Sequence, residues 1–164
     1  MRAISNSSVL IALSTIQREG LLIQRFPEGV LVPRSVWHEV VEQGSGQKGA
    51  DRISGVPWIT VLDAKDTGLV SFLRLYLDEG EAEAIALFRE VKADVLLLDE
   101  KDARRVARHN GFPVLGTVGI LVWAKRAGLI DSLRVELDAL RDEGDFWLSQ
   151  QVCREALRAV GEEE

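Results

Sequence analysis

Apolar runs too short for a helix alternate along this sequence with stretches whose apolar residues recur at helical spacing. The runs are residues 3–5, 30–32, 58–61, 95–98 and 113–115. A run that is apolar at consecutive positions suits a strand buried on both faces, as in a parallel sheet covered by helices. Such alternation predicts an α/β fold: a three-layer α/β/α sandwich around a central parallel sheet. Residues 58–61 are expected to form a short edge strand.

The helical stretches can be placed from their caps. Asn6-Ser7-Ser8 is polar and cap-like, and Val9, Leu10, Leu13 and Ile16 follow at helical spacing. Gly20 is expected to break that helix, with a short one over 21–26. Pro33 and Gly44 bracket a helix over 33–43. Residues 44–55, rich in Gly, Ser and charge, read as a loop. Further helices are expected over 69–77, from Gly80-Glu81 onward, from Lys101 to a stop at Gly111, and over 117–127, 133–141 and 149–160. No repeat or linker divides the chain, so residues 1–164 read as one domain, large enough to bury a core.

Composition narrows the function classes. With 46% apolar and 28% charged residues, the chain is globular and not disordered. Its single cysteine, Cys153, cannot form an intramolecular disulfide, which favours a reducing compartment. No signal peptide is evident, and no segment reaches the roughly 20 apolar residues of a membrane helix. A cytoplasmic protein without membrane contact is the expectation. The net charge of −6 means that overall charge does not steer the chain to nucleic acid. Any such contact needs a local basic patch.

Sites in open parallel sheets form outside the carboxyl ends of the strands. Asn6 follows the first strand, Asp99 the fourth, and Thr117 the fifth after Gly116. Glu81 shares a helix face with Ala84, Ile85 and Phe88, so it should point inward at the first turn of its helix. It could equally complement the helix dipole alone. Glu83 lies on the margin of that face. Glu39 borders the apolar stripe of Val36 and Val40, where a solvated acid is the plainer reading. Asn6 and Asp99 could each be simple helix caps.

Carboxylates that converge repel one another unless a proton or cation intervenes. Magnesium and manganese prefer such hard oxygen ligands, and can activate water and hold a phosphate for in-line attack. Lys101, Arg104, Arg105 and Arg108 fall on one helical face beside Asp99 and suit phosphate contacts, although a solvated face is the ordinary alternative. His38, His109 and Cys153 lack zinc-site spacing. Trp37, Trp58, Trp123 and Trp147 read as core or dimer contacts and not as base-stacking platforms.

The segments ISNSSVLIAL, LVPRSVWHEV, LDEGEAEAIAL, VLLLDEKDARRVAR and GFPVLGTVGILVWAKRAGLI, in this order and spacing, resemble the PIN-domain proteins, within them a VapC-like branch. The resemblance implies an acidic pocket that binds magnesium or manganese and a metal-dependent ribonuclease. It also implies a toxin paired with an antitoxin protein, often as a homodimer. By position it assigns Glu39, Glu81 and Asp99 as catalytic acids, Glu83 as a second candidate for the helix-start acid that Glu81 matches, and Thr117 as the polar position assisting metal or water. Asn6 departs from the usual aspartate. It keeps an oxygen but loses a full negative charge, so a non-catalytic module that binds RNA or a protein partner is the alternative.

Overall fold

A computed structural model describes residues 1–44 and 49–162. Five parallel strands form one sheet: β1 (Ala3–Ser5), β2 (Val30–Pro33), β3 (Ile59–Leu62), β4 (Val95–Leu97) and β5 (Val114–Leu115), in the order β3-β2-β1-β4-β5. Ala3 pairs with Val30 on one side and Val95 on the other. β1 is therefore central, and β3 is an edge, as expected.

Successive strand residues point to opposite faces, and the apolar runs supply both. Ala3, Val30, Val32, Val95 and Leu97 pack into one core, while Ile4, Leu31, Leu96 and Leu98 pack into the other. The first core is closed by α1 (Ser7–Thr15), α2 (Gly20–Arg25), α3 (Arg34–Trp37), α4 (Ala50–Ser54), α8 (Thr117–Arg126), α9 (Leu133–Gly144) and α10 (Gln150–Ala159). The second is closed by α5 (Thr67–Leu73), α6 (Glu79–Glu90) and α7 (Lys101–His109). The result is the expected α/β/α sandwich.

Three local expectations need correction. Gly20 does not break α1. The helix ends at Thr15 and is closed by Gln17, a non-glycine residue at φ 60°, where Gln17 N–H donates to Ser14 O (3.1 Å) and Arg18 N–H to Leu13 O (2.7 Å). This is a Schellman closure, and Gly20 instead opens α2. The segment 44–55 is not all loop: Ile53, with no exposed surface, anchors α4 against α1. Residues 45–48 of that expected loop lie outside the described residues. The helix expected over 33–43 continues beyond α3 as a π-helical turn, His38–Glu42.

Candidate functional site

The strand order reverses at β1, whose neighbours β2 and β4 lead to opposite halves of the sheet. A crevice outside the carboxyl ends of β1 and β4 follows from that topology. Asn6 and Asp99 stand at these two ends, and Asn6 N–H donates to Leu97 O (3.1 Å) across the gap.

Asn6 is 2% exposed and hydrogen-bonded at both ends of its side-chain amide. Its side-chain oxygen accepts from Val9 N (3.3 Å) and caps α1, while its Nδ2 donates to Glu100 Oε2 (2.9 Å). These two partners fix the amide orientation, because the reverse would set an oxygen against a carboxylate. The Ser8 hydroxyl also donates to Glu100. Glu100 was not anticipated as a site residue. Its signal was available: it directly follows Asp99, so it lies in the same strand-end position.

Asp99 is tied to the start of α8. Oδ1 accepts from Thr117 N (2.8 Å) and Oδ2 from the Thr117 hydroxyl (2.7 Å). The α8 N-cap is Gly116, which has no side chain, so Asp99 supplies the anion that a helix start favours. Thr117 thus touches Asp99 itself and is wholly buried. Burial raises the Asp99 pKa and outweighs the lowering by Thr117. Arg104 reaches past it, donating from Nη1 to Leu98 O (2.8 Å). A Cβ on Gly116 would lie 2.7 Å from that Nη1 and 2.8 Å from Asp99 Oδ1, so only glycine lets the two approach this turn. Burial and then Arg108 lower the Arg104 pKa, while Asp99 raises it.

Glu81 points inward as expected, with 6% of its surface exposed. It also completes a capping box: Glu81 N donates to Asp78 Oδ1 (2.8 Å), and Asp78 N to Glu81 Oε2 (3.1 Å). Burial, then Asp78, then Glu100 push its pKa up to about 7. Glu100, which is exposed, thus adds negative charge beside both the buried Glu81 and the half-buried Asp99 at the β1–β4 crevice.

Glu39 and Glu83 lie on the neighbouring wall. Glu39 is exposed, and its Oε2 accepts from the Ser7 hydroxyl (2.9 Å), one residue from Asn6. Glu83 Oε2 accepts from Ser35 Oγ (2.5 Å) and N (3.4 Å). Both line a cleft of about 720 Å³ shared with Asp78, Gly80 and Arg34. Among the described residues, no three His, Cys, Asp or Glu side chains are grouped so as to hold one ion. The donor chemistry nevertheless suits a hard divalent cation. Glu81, Asp99 and Glu100 offer only oxygens, and burial, then the neighbouring Asp78 and Glu100, raises the pKa of Glu81.

On α7, Lys101, Arg105, Arg108 and His109 line a shallow basic depression, while Arg104 is half-buried toward Asp99. Trp37, Trp58 and Trp123 pack against the core as expected. Trp147 does not: it is 83% exposed. His38, which faces Glu42, and His109 lie on the surface, and Cys153 is half-buried beside Arg141. No helix among the described residues is long and apolar enough to cross a membrane.

Comparison with known proteins agrees with this architecture. Neither the curated proteins nor the solved structures compared with the chain gave a match. A family model described as the PIN domain matches residues 2–162, nearly the whole chain. With its five-stranded parallel sheet and acidic crevice, the chain belongs to the PIN-domain family.

Proposed function

We propose that this chain is a magnesium- or manganese-dependent endoribonuclease acting from the β1–β4 crevice. The observation that carries this reading is the convergence of the buried Glu81, the half-buried Asp99 and the exposed Glu100 at the strand ends, with burial, then Asp78 and Glu100, pushing Glu81 up to about 7. A divalent ion, when bound, supplies an activated water and shields the phosphate charge. Asp99 and Glu81 are the primary residues to hold it, with Glu100 beside them. Asn6 and Thr117 act on these carboxylates by hydrogen bonds, and Glu39 and Glu83 extend the acidic wall from the adjoining cleft. Thr117 orients Asp99, and Arg104 sits where a phosphate oxygen next to Asp99 would gain a counter-charge. Lys101, Arg105 and Arg108 give the strand a basic path along α7.

The toxin role, the antitoxin partner and the homodimer rest on the family resemblance, and the cytoplasmic location on the lone Cys153, not on the crevice. A small reading frame adjacent to this one would support the pairing. A gel-filtration mass of one chain would count against the dimer.

One observation favours a second reading. Asn6 directs an N–H, not an oxygen, at Glu100, and so supplies the acidic group with a donor where an aspartate would supply another acceptor. On that reading the domain binds RNA or a protein without cutting. The test is cleavage of single-stranded RNA with manganese, with EDTA, and in Asp99→Asn. Cleavage that needs manganese and is lost in the variant, with the circular dichroism spectrum unchanged, supports the nuclease. RNA binding with no cleavage in manganese favours the second reading.

A further inference from the structure

The loop joining α9 to α10 alternates in a way that the core alone does not require. Phe146 and Leu148 pack against the first core, and Phe146 N donates to Leu140 O (3.1 Å). Ser149 then caps α10 by accepting from Val152 N (3.1 Å). Between these anchors Trp147 is turned outward with 83% of its surface exposed. Leaving a large apolar side chain in water forgoes its burial, yet both neighbours hold this one in place. It lies on a groove of about 590 Å³ that runs to Asp99 and is rimmed by Lys101 and Arg104. Among the described residues Asp99 is the one carboxylate lining it, against two cations, in a chain of net charge −6.

An exposed indole, an apolar floor, two cations and a terminus at the acidic crevice match one occupant. We propose that the groove takes an unpaired nucleotide of an RNA strand, with its base stacked on Trp147 and its phosphate between Lys101 and Arg104. The proposal rests on the nucleic-acid reading above and adds the residue, Trp147, that holds an unpaired base. A base in a duplex has its faces covered by neighbours, whereas every unpaired base offers one to an aromatic ring. In the sequence Trp147 reads, like the other tryptophans, as a core or dimer contact, because nothing in Phe146-Trp147-Leu148 marks which of the three apolar side chains turns outward.

The test is fluorescence anisotropy of a short fluorescein-labelled oligouridylate, alone and annealed to oligoadenylate, in EDTA so that nothing is cut. Stacking on an aromatic contributes roughly 1–3 kcal/mol per base. Trp147→Ala should therefore weaken single-strand binding about 5- to 150-fold, Trp147→Phe should retain most of it, and neither should change the salt dependence. Lys101→Ala should instead reduce the salt slope by about one phosphate contact. Unchanged affinity in Trp147→Ala, while the wild type still binds or cleaves RNA, overturns this inference and leaves the nuclease reading standing. A wild type that binds no strand overturns both. A wild-type dimer that Trp147→Ala converts to a monomer assigns the indole to a contact between copies and also overturns the stacking role.

Discussion

At the scale of single residues, the crevice is a balance between acids and the few groups that neutralise them. Asn6 is the pivot, since its Nδ2 meets Glu100 while its oxygen caps α1. Asn6→Asp removes that donor and adds a charge. Without metal it should destabilise the protein by about 1–3 kcal/mol, and it should tighten manganese binding; urea unfolding and calorimetry read the two effects. Thr117→Val leaves Asp99 Oδ2 without its hydroxyl donor, at a cost of about 1–3 kcal/mol in the same unfolding assay. Glu81 sets a pH dependence. Its pKa is near 4.5 in the unfolded chain and about 7 in the folded one, so the folded state binds more protons between these values. Stability should therefore fall as pH rises from about 4.5 to 7 and level off above. Glu81→Gln preserves the capping acceptor and should flatten that slope in unfolding curves taken across the window. A slope unchanged by the variant would place the proton elsewhere.

At the scale of elements, the fold was readable where local and tertiary signals agreed. All five strands and most helices sit where consecutive apolar runs and helical spacing place them. The strand-end rule found Asp99, and the face shared with Ala84 and Ile85 found the inward turn of Glu81. What escaped depends on contacts distant in sequence. The closure of α1 at Gln17 uses a left-handed residue that the nearby Gly20 disguised. Helix α4 exists because Ile53 is buried against α1, which a Gly- and Ser-rich composition conceals. The π-helical turn at His38–Glu42 has no periodic signature. The dual role of Asp78 was likewise hidden: it caps α6 and crowds Glu81 at once. Asp78→Ala should lower stability by about 1 kcal/mol through the lost cap, while drawing the Glu81 pKa back toward its ordinary value. An NMR titration of the Glu81 carboxyl checks the second effect independently of the first.

At the scale of the whole molecule, charge is segregated. The chain is acidic overall, yet Lys101, Arg105, Arg108 and His109 form one basic depression on α7, and the groove beside it sets Lys101 and Arg104 against Asp99. The sheet's topology puts the acids at the β1–β4 reversal, and α7, which follows β4, sets the basic face next to them. A nucleic-acid strand meets this arrangement as a positive path leading to a negative crevice. The central claim is that the crevice takes a divalent ion. Isothermal calorimetry of manganese binding, on the wild type and on Asp99→Asn at neutral pH, tests it most directly. Binding by the wild type that the substitution removes, with the fold intact, is the predicted result. A folded wild type that binds no manganese would contradict it, and would leave Asn6 and a shared proton on Glu81 as what neutralises the acids.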